Sequence, residues 1–366
     1  MTDLTNDFVA LIRDAAAAKA PLNIEGAGSK RWYGNPVVAQ RSLATAGHSG
    51  IVDYDPAELV LTARCGSTLA DIESALAERG QMLPFEPPRY APESTLGGAI
   101  ATALSGPGRP FVGGVRDFVL GMHVIDGKGD VLKFGGQVMK NVAGYDVSRL
   151  MTGSMGILGL ISQVSLKVLP VPVATATLRF ELSEAEAIRR VNEWSGKPLP
   201  LSASVWEKGI LHIRLSGARA AVDSAVEQMG GALLDVSSAD ALWNELRDQT
   251  RHFFRDAERM NGGQTLWRLS LPAIAPVVTA SQIPDADGQL IEWGGSQRWL
   301  WSAASGDAIR DAARQMGGHA VRFNNQHSGV ETFAQPSAAL MAIHRRLKQT
   351  FDPHGVFNPG RLYQGL

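Results

Sequence analysis

The chain has 366 residues, with 35 lysines and arginines against 36 aspartates and glutamates, for a formal net charge of −1. It lacks the basic surplus that displaces counterions from nucleic acid, which excludes that class of partner as an expectation. Its one cysteine, Cys65, excludes an internal disulfide, and 45% apolar with 19% charged residues is enough to bury a sizeable core.

At roughly 100–200 residues per domain the length suggests two domains. The N-terminus, MTDLTNDFVALIRDAAAAKAP, is acidic before it is apolar. That pattern predicts a soluble amphipathic helix rather than a signal peptide, and no apolar run reaches the ~18 residues of a membrane span. The expected location is the cytoplasm.

Pro21–Ile24 reads as a short apolar strand, followed by Gly26-Ala27-Gly28-Ser29-Lys30. Successive small residues let backbone N–H groups converge on an anion, with the Ser29 hydroxyl and the Lys30 charge in support. The spacing fits neither a dinucleotide fingerprint of the G-x-G-x-x-G kind nor a P-loop, so alone it is a weak phosphate signal. Ser67-Thr68 caps a predicted helix over Leu69–Arg79 that stops at Gly80. Pro84, Pro87, Pro88 and Pro92 give an extended loop. Ser94-Thr95-Leu96-Gly97-Gly98 then opens a helix whose first turn is made of small residues. Either a diphosphate lies against that N-terminus, or the glycines serve close helix–strand packing. Phe118–Ile125 and Gly129–Phe134 form a predicted hairpin around Asp126-Gly127-Lys128.

Fifteen of the 39 glycines fall between Gly97 and Gly159, a density that suits ligand approach and loop-rich β structure equally. Pro170-Val171-Pro172 marks a boundary. Beyond it, Ile210–Leu215, Ala218–Met229 and Ala232–Val236 read strand, helix, strand. Gln297–Trp301, Asp307–Met316 and His319–Phe323 repeat the order, and Gln-Met-Gly-Gly recurs at Gln228 and Gln315. Extended back to about Val173 and Thr265, each copy is β-α-β-β-α-β, the ferredoxin-like order, with Ala239–His252 as a connecting helix. Two such units predict one antiparallel sheet with helices on one face.

The pieces Gly26–Ser29, Ser94–Gly98, Ser105-Gly106, Val115–Gly121, Lys140–Asp146, Gly153–Ile161 and Phe351–Tyr363, in this order, resemble the vanillyl-alcohol-oxidase-type (PCMH-type) family of FAD-binding flavoproteins. The resemblance runs from Pro21 to Val168 and returns at the C-terminus. It implies an α+β fold: a PCMH-type FAD domain over residues 1–170, a duplicated ferredoxin-like cap over 171–330, and a tail, 331–366, packing back on the FAD domain. The implied cofactor is noncovalent FAD, because the first loop carries no histidine. The implied contacts are Gly26, Ala27, Gly28, Ser29 and Lys30 at the diphosphate. Pro87, Thr95, Gly97, Gly98, Ser105 and Gly106 follow along the diphosphate and ribityl path, with Arg116 and Asp117 on a strand edge. Gly156, Gly159 and Ile161 are assigned to the adenosine half, and Asn358 with Pro359 to the return of the C-terminus.

Within the family the chain looks most similar to the FAD-binding subunits of bacterial glycolate (2-hydroxyacid) oxidases. Those pair with a larger catalytic flavoprotein subunit and an iron–sulfur subunit, so attachment to the inner membrane would be peripheral, through the complex. Met155 and Ile157 stand where hydroxyacid dehydrogenases carry an acid and a threonine. The substrate-site histidine and acid stretches are missing, so no catalytic residue and no metal ligand is assigned. His319 and His327 are read as strand-edge and loop residues, and Cys65 as a structural thiol. Trp293, Trp299 and Trp301 are read as one packed sheet face, and Ala342–Gln349 as a solvated basic helix. A free-standing hydroxyacid dehydrogenase and a non-catalytic subunit with an empty flavin site remain as alternatives.

Overall fold

A computed structural model describes residues 2–136, 146–284, 286–323 and 330–366, leaving out the side chain of Asp287. The chain divides into two compact units: residues 2–104, 113–171 and 335–366 form the first, and residues 105–112 and 172–334 the second. Among the described residues no helix is long and apolar enough to cross a membrane.

The first unit opens with α1 (Thr5–Ala18), whose Phe8, Ile12 and Ala15 recur at helical spacing and are buried. They pack with Leu22, Leu43, Leu160 and Phe357 in one apolar cluster. β1 (Leu22–Glu25) and β2 (Arg41–Ala44) pair in parallel. A five-stranded antiparallel sheet follows, built from β3 (Ile51–Asp55), β4 (Val60–Arg64), β5 (Val119–Ile125), β6 (Val131–Gly135) and β7 (Leu160–Lys167), in the order β3-β4-β7-β5-β6. The β5–β6 turn is the expected one, with Asp126 Oδ1 accepting from the N–H groups of Lys128 and Asp130, both at 2.9 Å. Further helices of this unit include α2 (Leu69–Ala77), α3 (Leu96–Thr102) and α4 (Val147–Met151). Thr68 caps α2 by accepting from Asp71 N, as its position suggested.

The C-terminal helix Ala338–Phe351 and the tail belong to this unit. Lys348 Nζ, buried, donates to Asp352 Oδ2 at 2.7 Å and to the carbonyls of Ile157 and Phe357. Asp352 in turn accepts from the N–H groups of Val356 and Phe357. Every polar atom of the pair therefore has a partner, which is the condition for a buried ion pair to be tolerated.

The second unit contains β8 (Ala174–Glu181), α5 (Glu184–Ser195), β9 (Leu201–Glu207), β10 (Ile210–Gly217), α6 (Arg219–Met229), β11 (Ala232–Leu233), α7 (Val236–Asp248), β12 (Thr265–Ser270), β13 (Asp287–Glu292), β14 (Gln297–Ser302), α8 (Gly306–Gln315) and β15 (His319–Arg322). The eight strands form one sheet, β11-β8-β10-β9-β13-β14-β12-β15, whose recorded pairings are all antiparallel. Each half has the ferredoxin-like order of strands, and the halves meet at β9–β13. Leu211, Trp206, Ile291, Arg298, Leu269 and Ala320 are successive cross-strand partners and so share one face. α5 and α6 cluster with Leu211, and α8 with Leu269 and Ala320, so these three helices cover that face.

Four local features differ from expectation. The segment expected to reach Val236 as a strand ends at Leu233, because Asp235 accepts from Ser238 N and starts α7 three residues ahead of the expected Ala239. The connecting helix α7 lies on the opposite face from its fellows: Trp243 Nε1 donates to Thr177 Oγ1 at 2.9 Å, and the Arg214 guanidinium sits 5.2 Å from its ring. The second copy has no helix between β12 and β13 among its described residues. Pro272, Pro276 and Pro284 break that segment, and it still buries Ala275, Val278 and Ile283. Arg298, fully buried, holds it by donating to the carbonyls of Ala275 and Pro276, with Nε to Gly295 O at 3.1 Å. Trp293, finally, is not on the face of Trp299 and Trp301 but in a 3-10 turn between strands.

Candidate functional site

β1 runs into the loop Gly26–Lys30, which lines a cavity of about 290 Å³ together with Thr95, Gly98, Met155, Asn358 and Arg361. Three of the loop's carbonyls are engaged by protein. Gly28 O accepts from Arg31 N, Ser29 O from Trp32 Nε1, and Lys30 O from Tyr33 N and Arg361 Nη2. Its amides are not. Among the described residues, none of the five backbone N–H groups from Gly26 to Lys30 has an acceptor in the protein. Gly28 takes φ +74°, the left-handed conformation that lets neighbouring amides converge.

Lys30 adds a cation. It is 8% exposed, its ammonium is 5.7 Å from the centre of the Tyr90 ring, and burial pushes its pKa down to about 8. No carboxylate offsets that burial, whereas the neighbouring Arg31 is ion-paired to Glu25. A run of unused amides beside a desolvated ammonium suits a multiply charged anion. The diphosphate of FAD fits this donor set.

The leading amides of α3 have partners within the protein. Leu96 N donates to Ser67 O at 2.9 Å, Gly97 N to Cys65 O at 2.7 Å, and Gly98 N to Thr95 Oγ1 at 3.3 Å. All three leading amides are spent on protein, so among them that helix end offers a phosphate no backbone donor. The paired glycines also divide. A Cβ on Gly97 would lie 2.8 Å from Cys65 Cβ, which is the close-packing reading, whereas one on Gly98 would meet only Thr95 Oγ1 at 3.3 Å and Lys30 Nζ at 3.9 Å. Gly98 leaves room in the cavity, and Gly26 lets the loop pass Thr95, whose Oγ1 would be 2.4 Å from a Cβ there.

A smaller cavity of about 80 Å³ shares Ile24, Gly26, Gly98, Met155 and Asn358 with the first and adds Cys65, Gly97, Gly156, Gly159 and Ile161. Cys65 is fully buried and its thiol is pushed up to about 12, so it stays protonated and unreactive. Asn358 reaches both cavities but spends its amide on the chain: Oδ1 accepts from Ile24 N at 2.7 Å and Nδ2 donates to Met155 O at 2.8 Å. It positions the walls.

Five expected contacts line neither cavity. Pro87 is buried in its own loop. Arg116 and Asp117 are exposed on a helical turn, Val115–Phe118, where Asp117 Oδ2 accepts from Gly114 N. Ser105 and Gly106 belong to the second unit, where Gly106 O accepts from Trp293 Nε1 at 3.1 Å and Ser105 Oγ is buried without a partner among the described residues. Residues 140–145 and His327 lie outside the described residues, while Asp146 caps α4. Sequence reasoning missed Arg361, which donates to the carbonyls of Lys30, Arg31 and Asn35 and so braces the loop. Its signal was the Asn-Pro-Gly-Arg run at the C-terminus.

The FAD binding domain family matches residues 3–135, and the C-terminal domain of FAD linked oxidases matches residues 319–362. The chain is 48% identical over 365 residues to glycolate oxidase subunit GlcE of Escherichia coli (strain K12), covering 100% of this chain and 99% of that one. It is 29% identical over 175 residues to glycolate oxidase subunit GlcD of Bacillus subtilis (strain 168), covering 48% and 37%. Among solved structures, an alkyldihydroxyacetonephosphate synthase superposes with TM-score 0.68 at 16% identity, covering 97% of this chain and 74% of that one, a likeness of fold.

Proposed function

The chain belongs to the vanillyl-alcohol-oxidase-type family of FAD-linked oxidoreductases, and on that premise we propose that it is the FAD-binding subunit of a multi-subunit glycolate (2-hydroxyacid) oxidase. The observation that carries the reading is the row of five unused amides from Gly26 to Lys30 beside the unpaired Lys30 ammonium, in a chain 48% identical over its full length to a glycolate oxidase subunit.

In this reading Gly26–Lys30 hold the diphosphate through backbone N–H groups, and Lys30 supplies charge. Gly98 keeps the wall open, while Asn358 and Arg361 fix the loop against the tail. Gly156, Gly159 and Ile161 border the remainder of the cofactor. FAD, when bound, accepts and passes on electrons, a chemistry that belongs to the cofactor rather than to these side chains. Attachment is noncovalent, since the loop Gly26–Gly34 offers no histidine.

Substrate oxidation is assigned mainly to a partner, a larger flavoprotein subunit, with an iron–sulfur subunit taking the electrons onward. What supports this is the sequence, which lacks the histidine and acid stretches that do the base work in hydroxyacid dehydrogenases of the family. A buried Met155 also lines the cavity where those enzymes carry an acid.

The test is an absorbance spectrum of the purified chain before and after acid precipitation, then anaerobic addition of glycolate. Flavin released into the supernatant, with no bleaching by glycolate in the isolated chain, is the expected result. Bleaching by glycolate alone would make the chain a free-standing dehydrogenase. A colourless chain that FAD neither colours nor stabilises would leave a non-catalytic subunit.

A further inference from the structure

The second unit has an opening of about 410 Å³ at one edge of its sheet, larger than the cavity beside Lys30. Its floor is the first half of β8, Ala174–Thr177, and its walls are α6, through Val222 and Val226, and the start of α7, through Val236 and Ala239. α6 covers one face of the sheet and α7 the other, so the opening is a slot between two helices with a strand edge at its base.

That edge is unfinished. β11 opposes β8 only at Leu178↔Leu233 and Arg179↔Ala232, and Leu234 N adds one bond to Thr177 O at 2.9 Å. Asp235 then starts α7 and the chain leaves. Successive residues of a strand turn their N–H and C=O groups to opposite edges, so Thr175 faces the same side as Thr177. Its backbone has no partner there among the described residues, and it is exposed. Beside it, Leu233 is 61% and Val236 76% exposed. Asp223, Glu227 and Asp240 rim the slot against a single Arg219. Unpaired strand backbone, apolar walls and an acidic rim together describe an acceptor for a strand.

We propose that this slot receives an extended segment of another subunit of the same assembly, which adds to β8 as a short strand at Thr175, ahead of the bond that Leu234 already makes to Thr177. The segment sets apolar side chains between α6 and α7 and lysines or arginines against Asp223, Glu227 and Asp240. The inference rests on the reading of the chain as a subunit.

The experiment isolates the assembly through a tag on this chain from cells that make all of its own subunits. It compares the wild type with Val236→Glu and with the double variant Asp223→Lys, Glu227→Lys. These residues are exposed, and an unchanged melting temperature and far-UV circular dichroism spectrum report that the second unit of each variant has folded. In a parallel preparation a benzoylphenylalanine at position 236 is photolysed and its cross-link mapped by mass spectrometry. The expected outcome is a loss of at least tenfold in a co-purifying subunit for both variants with flavin retained, and a cross-link to an extended basic segment of that subunit. Recovery of that subunit at wild-type yield overturns the slot assignment while leaving the subunit reading intact, and so does a cross-link to a second copy of this chain. If the wild type brings down no other subunit, the subunit reading fails, and the slot assignment with it.

Discussion

Asn358 Nδ2 donates to the carbonyl oxygen of Met155 at 2.8 Å across 203 residues of sequence. The same amide's Oδ1 accepts from Ile24 N at 2.7 Å, so one side chain fixes β1, the turn at Met155 and the tail. Met155 takes φ +55° and Asn358 φ +39°, conformations that a local sequence does not favour and that this tie holds. Asn358→Ala removes both bonds and leaves the part-buried Ile24 N–H and the buried Met155 C=O unpaired, at about 1–3 kcal/mol each. Urea unfolding should show a loss of about 2–4 kcal/mol, with FAD released more readily. A variant as stable as the wild type would remove the positioning role.

Lys30 makes both stability and cofactor binding depend on pH. Burial lowers its pKa from 10.5 to about 8, so between those values the unfolded chain binds a proton that the empty folded chain does not. Stability of the FAD-free protein should therefore rise as pH increases from about 8 toward 10.5, by at most ~3 kcal/mol. Lys30→Met should abolish that slope in denaturation curves. A diphosphate favours the charged amine, so FAD affinity should fall as pH rises through 8 and beyond. In Lys30→Met at pH 7 it should be about 10- to 100-fold weaker, which equilibrium dialysis would read.

Adjacent glycines should respond in opposite ways. Gly97→Ala drives a Cβ to within 2.8 Å of Cys65 Cβ and 3.0 Å of its carbonyl oxygen. Overpacking of that kind costs about 1–3 kcal/mol in thermal or urea unfolding. Gly98→Ala points into the cavity and should leave the empty protein at or slightly above wild-type stability while lowering FAD retention. Equal stability losses in the two variants would contradict the division. In the same loop, Gly28→Val combines a β-branched residue with φ +74°, and it should purify largely colourless.

Arg298 tests the second unit. It is fully buried and donates to carbonyls of Ala275, Pro276 and Gly295, groups with no helix to satisfy them. Arg298→Met fits the volume but leaves those carbonyls unpaired, and a loss of about 3–5 kcal/mol is expected in calorimetry. The visible flavin spectrum, which reports on the first unit, should change far less than the melting temperature.

The sequence by itself determined whatever is local in origin. Asp126-Gly127-Lys128 made its turn, Thr68 capped α2, and Gly26–Lys30 formed a loop of free amides because small residues there permit it. The two Gln-Met-Gly-Gly stops marked a duplication because each glycine ends its helix whatever surrounds it. Tertiary structure decided where a donor or a side chain finds its partner. Thr95-Leu96-Gly97-Gly98 reads as a phosphate-ready helix start, yet Ser67 O and Cys65 O, some thirty residues earlier, take the first two of its amides. Ser105-Gly106 reads as part of the cofactor path, yet Trp293 Nε1, 187 residues away, holds Gly106 in the second unit. Arg298, lying on an apolar strand, finds its purpose only because three prolines denied the second copy its helix. Periodicity and glycine spacing report conformational preferences over a few residues. Which carbonyl meets which amide is settled when distant segments pack, and that is where the loop kept its amides free and the neighbouring helix end did not.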